Sequence, residues 1–451
     1  MNERNDQSSS WLAEQAIHPL REQLTHELHA RPFESLNTPL DIFLFAKYTG
    51  EGVTHDECQH LANFCRAYKL PEPETESRHH RMHLEGELIR WERHGEFTTF
   101  SLFKEANTET PFAAEVSEAL LQFMAQTEGE ILVATHVSIR EYDDYLHSVQ
   151  AMQEYFQTES LVSANIASDE AQVWTDLQLH DSGYNRILLL DRNLVGLKMG
   201  RVAQRLMDVS TYRNMALLAL PIAQSAASQI AALDKTLSQL LDQLNDSAQD
   251  NAIQSNPQNP IDVDTEMLTS LTDLSMKIQA ISTQTQYRLS AADAYYALIN
   301  SRIEELNETR VAGFQTIGEF LQRRLSPAMR TCHSVATRLD DLSSRTSRAV
   351  NLLRTRLDLT LEHQNHKLLG SMNKRVLVQM RLQETVEGLS IAAITYYFVG
   401  LVGYMAKSTK MVGLGISPEL ITGMSVIPIG LMVWYSIRKV KQRIMGMSES
   451  S

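Results

Sequence analysis

Two uncharged apolar runs near the C-terminal end constrain this chain more than anything else in it. Gly388–Ala406 holds 19 residues and Leu420–Ile437 holds 18, neither with a charged side chain. At about 1.5 Å per residue, each run approaches the roughly 30 Å hydrocarbon core of a bilayer. Thirteen residues, Lys407–Glu419, separate them, so the spacing predicts a transmembrane hairpin with the lipid bilayer as partner. Backbone groups in hydrocarbon must bond internally, which makes both runs helices.

The flanks orient that hairpin. Arg438, Lys439, Lys441 and Arg443 follow the second run, and Lys374, Arg375 and Arg381 precede the first. The connecting loop has only Lys407 and Lys410. The positive-inside bias then places both termini in the cytosol and the loop outside. Tyr404, Trp434 and Tyr435 fall where interfacial aromatic belts lie.

The net charge of −14 is concentrated at the other end. Residues 1–150 carry 26 Asp and Glu against 12 Lys and Arg, whereas 151–451 carry 29 of each. An acidic N-terminal part argues against nucleic-acid binding. Met1–Ser10 is polar, without the apolar core of a secretory signal. Cys58, Cys65 and Cys332 follow no metal-ligand spacing and read as thiols of a reducing compartment.

The fold class expected is α+β: a mixed α/β domain, then a long-helix bundle and stalk, then the hairpin. The first 195 residues form the acidic cytosolic domain. Leu40–Tyr48, Ile131–Ile139, Ala171–Leu179 and Asn185–Asp191 read as strands, and Gly86–Glu92 with Glu96–Phe103 as a β-hairpin about His94-Gly95. His18–Ala30, Thr54–Tyr68 and Glu141–Phe156 read as helices. Residues 196–387 form the bundle and stalk, broken by Pro221 and by a polar linker at 245–262 (NDSAQDNAIQSNPQNPID). One long helix is expected over Asp264–Phe320, and another from Ser326-Pro327. Asn214–Leu233 also lacks charge, but Asn214, Gln224, Ser225, Ser228 and Gln229 suit a buried bundle helix better than a lipid-facing one. The hairpin occupies 388–437 and a basic cytosolic tail 438–451.

The stalk carries the clearest periodicity. Val350, Leu353, Leu357, Leu361, Gln364, Leu368, Met372, Val376, Gln379, Leu382, Val386 and Leu389 advance 39 residues in 11 steps. That step of about 3.55 lies between a coiled-coil seam and a straight helix. Its other faces are basic: Arg323–Arg381 has 12 Lys and Arg against four Asp and Glu. A stiff stalk packed against other helices explains such a stripe, and a homo-oligomer is expected; Gln364 and Gln379 either fix register between neighbours or are simply tolerated polar residues.

Searching for chemistry gives little. His79, His80 and His83, followed by Glu85 and Glu87, would put three metal-ligand types on one face if Arg78–Arg93 were a single strand. A solvated hairpin edge explains them as well. His18, His26 and His29 accompany Glu22 and Glu27 but no nucleophile. No GxGxxG, P-loop, GxSxG or CxxC motif is present, and the spacing of Gly196 and Gly200 suits helix initiation. No catalytic residue, metal ligand or cofactor is therefore assigned. In the hairpin, Tyr396 and Tyr397 need hydrogen-bond partners in hydrocarbon, across the hairpin or along a pore. Gly400 and Gly403 would allow close helix approach.

HPLREQLTHELHARP (His18–Pro32), RTRLDLTLEHQN (Arg354–Asn365) and QETVEGLSIAAITYY (Gln383–Tyr397) resemble signature stretches of a domain-of-unknown-function family of bacterial membrane-anchored proteins. The resemblance covers nearly the whole chain and implies an inner-membrane protein without an established activity. The plan also resembles CorA-type magnesium channels, in which the first span lines a pore. Those channels carry a Gly-Met-Asn triplet at the outer end of that span, where this chain reads Gly403-Tyr404-Met405-Ala406-Lys407. Two functions are expected on this basis: a membrane-anchored scaffold or regulator, favoured by the lack of charge and of the triplet, and a CorA-like channel; the His-rich segments leave an enzyme as a third.

Overall fold

The computed structural model describes residues 17–21, 24–25, 33–50, 56–74, 77–106, 108, 110–253, 260–409 and 417–448. They fall into two compact units, one of residues 1–256 with 269–349, the other of 257–268 with 350–451.

The first unit is built on a nine-stranded sheet. Its strands are β1 (Leu40–Tyr48), β2 (His79–Leu84), β3 (Glu87–Arg93), β4 (Phe97–Glu105), β5 (Glu130–Glu141), β6 (Val162–Ile166), β7 (Ala171–Leu179), β8 (Asn185–Asp191) and β9 (Thr309–Arg310). Their spatial order is β2-β3-β4-β1-β5-β8-β7-β6-β9. Neighbours are antiparallel except β5 and β8, which pair in parallel from Thr135–Asn185 to Glu141–Asp191. β1 and β8 read as apolar runs because most of their side chains are buried, as strands covered on both faces require, whereas β3 and β4 bury polar side chains among the apolar ones. One core, with Phe43, Leu61, Trp91, Phe100 and Phe123, packs under α1 (Asp56–Ala67) and α2 (Glu118–Gln126). A second gathers Met152, Phe156, Trp174 and Leu188 beneath α3 (Val149–Tyr155).

Long helices follow: α4 (Leu197–Leu217), α5 (Ala219–Ile253), α6 (Pro260–Leu306), α7 (Ile317–Thr409) and α8 (Pro418–Ser448). Gly196 begins α4 at φ 54°, and Gly200 lets the Glu34 carbonyl come within 1.9 Å of where a Cβ would stand. Helix initiation accounts for the first glycine, and backbone approach for the second. Pro221 falls in the first turn of α5, where its missing N–H has no partner to lose.

Several boundaries differ from the sequence expectation. The expected Glu141–Phe156 helix is only Val149–Tyr155, because Tyr142 still donates its N–H to Asp191 O and Ser148 caps the helix later. Helix persists to Ile253 and resumes at Pro260, well inside the expected 245–262 linker; residues 254–259 lie outside the described ones. No Gly or Pro precedes Pro257 in that stretch, so nothing in it stops the helix. The single helix expected over Asp264–Phe320 is cut after Leu306. Asn307 takes φ 50° and Gly313 φ 88°, the left-handed geometry that ends helices. Ile317 and Gly318 donate their free N–H groups to Glu308, so α7 starts there and passes straight through Pro327. Strand β6 and helix α2 carry too weak a pattern to be anticipated.

Among the described residues, three helical stretches are long and apolar enough to cross a membrane: Leu197–Asp246, Ile317–Lys407 and Glu419–Val440. In the first, Ala219, Ala223, Ala226, Ile230 and Leu237 are buried in the protein, as a bundle helix requires.

A buried ion pair fastens α6 to the sheet. Arg288 Nη2 donates to Glu96 Oε1 at 2.6 Å, and Tyr295 Oη donates to the same oxygen at 2.7 Å. Glu96 is 1% exposed and Arg288 6%. Removing one partner strands the other charge, so Glu96→Ala is expected to cost about 3–5 kcal/mol in chemical denaturation. Gly200→Ala is expected to cost about 1–3 kcal/mol in the same measurement, since a backbone carbonyl must move.

Candidate functional site

Alternation along β3 puts Arg90 and Glu92 on one face, and along β4 it does the same for Thr99 and Ser101. Opposite them, α4 presents Gln204 and Asp208 one turn apart, and the last turns of α6 present Arg302 and Glu305. These side chains line a cavity of about 210 Å³. Arg90 Nη2 donates to Gln204 Oε1, and Gln204 Nε2 donates to Asp208 Oδ1 at 2.7 Å. Arg302 Nε donates to Asp208 Oδ2 at 2.7 Å, while its Nη1 and Arg205 Nε each reach Glu305 at 2.9 Å. Burial pushes the Asp208 carboxyl above its usual range, against the bonds from Arg302 and Gln204.

A second polar group sits wholly inside the sheet. His136 Nε2 donates to Asp41 Oδ1 at 3.0 Å and Arg140 Nη2 to Asp41 Oδ2 at 2.8 Å. Arg140 Nη1 also reaches the Leu40 and Ile139 carbonyls. The His136 ring lies 4.1 Å from that of Phe43, with Phe112 and Tyr184 edge-on. All three polar residues are at least 96% buried, so this is an internal brace.

The second unit offers a different surface. Asp264 on α6 accepts from Arg356 at 3.1 Å, and Leu353 is buried. Beyond that point α7 has no cover among the described residues: every residue from Leu361 to Val386 is exposed. The exposed set includes Leu361, Leu368, Met372, Val376, Leu382 and Val386, all on the periodic stripe. Farther on, α8 returns antiparallel, with Thr422 against Gly403 and Gly430 against Thr395.

The residues singled out in the sequence scatter accordingly. Gly403 meets α8, whereas Gly400 faces open space. Tyr396 and Tyr397 are 77% and 73% exposed, with rings edge-on to each other at 6.1 Å. His79, His80 and His83 do not share a single strand with Glu85 and Glu87. The chain reverses at Glu85-Gly86 and pairs His79 with Glu92 and His83 with Leu88. His80 is instead held by the Pro71 carbonyl at 2.9 Å. His18 accepts from the Leu20 N–H, while Glu22, His26, Glu27 and His29 lie outside the described residues. The cysteines are free, Cys65 and Cys332 buried and Cys58 partly so. The cavity arginines were not anticipated: Arg90 and Arg302 stand in unremarkable local sequence and meet only through the fold.

Asp41 carries a pH prediction. Burial pushes its carboxyl up, but the bonds from His136 and Arg140 prevail and hold it below its ordinary 3.8. The folded state thus binds this proton less readily than the unfolded state, so the stabilisation is present above pH 3.8 and is lost as pH falls below it. Urea denaturation at pH 6 and pH 3 should therefore show a smaller acid-induced loss in Asp41→Asn than in the parent protein.

The family model described as Protein of unknown function (DUF3422) matches residues 16–444. No curated protein matches the chain.

Proposed function

The chain belongs to the DUF3422 family, and from that premise we propose a membrane-anchored scaffold that self-associates through its stalk. The apolar ends of α7 and α8 form a two-span hairpin in the bacterial inner membrane, with both termini in the cytosol. The α/β unit is the displayed, regulatory part. The observation that carries this reading is the uncovered stripe between Leu361 and Leu389.

A lone helix with such a face is incomplete. Burying each apolar side chain gains about 1.5–3 kcal/mol, so seven of them give roughly 10 kcal/mol or more per helix. That matches the ~4–15 kcal/mol cost of association, and confinement to one bilayer lowers the cost by raising effective concentration. A second copy is the occupant that fits. It presents the same period of about 3.55, which suits coiled-coil packing. Anchors inserted in one orientation also force the two stalks to run parallel. Gln364 then meets Gln364, and Gln379 meets Gln379, which sets the register.

Cysteines placed in the stalk of the full chain in native membranes test this. Leu368→Cys and Met372→Cys should form dimer-sized crosslinks on mild oxidation, whereas Lys374→Cys and Arg381→Cys on the opposite face should not. Equal crosslinking on both faces, or none, would sink the proposal. Mass photometry in detergent supplies an independent check, with a monomer counting against self-association. A ring of five, with ion flux in liposomes altered by Tyr396→Ala and Tyr397→Ala, would instead support the CorA-like channel.

A further inference from the structure

We propose that the cavity between β3, β4, α4 and α6 binds a small oxyanion, an inorganic phosphate or a short carboxylate, on the guanidinium groups of Arg90, Arg205 and Arg302. Three arginines share one cavity with three carboxylates, Glu92, Asp208 and Glu305, and bring more N–H donors than those carboxylates bond. Each guanidinium has five N–H groups and no acceptor. Arg90 commits Nη2 to Gln204, Arg205 commits Nε to Glu305, and Arg302 commits Nε and Nη1 to Asp208 and Glu305. Arg90 Nε lies 3.2 Å from Glu92 Oε2 but is buried without an aligned hydrogen-bond partner. Most of the donors on these three groups thus have no protein acceptor among the described residues.

Three carboxylates line the cavity, Glu92, Asp208 and Glu305, and the last two are already engaged. Glu305 Oε1 takes Arg302 and Ser301, and its Oε2 takes Arg205. Asp208 takes Gln204 on one oxygen and Arg302 on the other. The uncommitted guanidinium edges remain available to a ligand, and planar guanidinium edges match carboxylate and phosphate oxygens in pairs.

Volume narrows the ligand further. At about 210 Å³ the space falls short of the roughly 300–1,000 Å³ of sites for cofactors and drug-sized ligands. Nucleotides are therefore excluded, and an ion or a short acid fits. Arg90 is 8% exposed and braced by the sheet, so part of the site is already in place before a ligand arrives.

Isothermal titration of the full chain in detergent tests the proposal, with inorganic phosphate and succinate as separate probes and chloride as the control. Saturable binding of either probe, absent with chloride, supports an oxyanion site, and the stronger probe identifies which anion it takes. Arg302→Gln and Arg205→Gln, both at partly exposed positions, should each weaken that binding at least tenfold. Asp208→Asn should tighten it, because the competing carboxylate charge is gone. No binding of either anion up to about 10 mM, or unchanged affinity in both arginine variants with native circular dichroism, would overturn the assignment.

Discussion

A carboxylate kept almost wholly out of water decides how this protein is assembled. Glu96 sits at the turn into β4, and its oxygen takes both the Arg288 guanidinium and the Tyr295 hydroxyl from α6. A buried charge of this kind is tolerated only where its partners are fixed. Once α6 is fastened there, Tyr295 stacks on Tyr212 of α4 at 5.7 Å, and Arg302 two turns later meets Asp208. The pairing of sheet, α4 and α6, and the cavity they line, all descend from that contact.

Much of this architecture was legible in the sequence, and the reasons are specific. Leu40–Tyr48, Ala171–Leu179 and Asn185–Asp191 were readable as strands to the residue, the first and last as apolar runs and Ala171–Leu179 by its alternation. β6 was not, since VSANI offers only three apolar residues and its pairing with β7 supplies the rest. The break between α6 and α7 did leave signs, Asn307 and Gly313. They were masked by strong helical patterns on either side.

The polar sites were harder to read for a general reason. Arg90 and Arg302 lie on different elements, brought together by tertiary packing that no local spacing encodes. The same holds for Asp41 and Arg140, paired through adjacent strands. Conversely, the histidines at positions 79, 80 and 83 looked promising in sequence because they are close along the chain. The turn at Glu85-Gly86 separates the carboxylates from them.

The placement of β9 has a consequence for the order in which this protein is made. Its two residues, Thr309 and Arg310, complete the sheet edge beside β6, and the first compact unit ends at Ala349. Translation from there through the second apolar run takes roughly 5–20 s at ~5–20 residues per second. Sheets of this kind fold in about milliseconds to seconds. The sheet therefore has time to close on the ribosome before α8 is complete. Only the first turns of α6, where Asp264 awaits Arg356, must wait for the stalk. The long apolar ends of α7 and α8 thus leave the ribosome after a sheet that has already had time to fold.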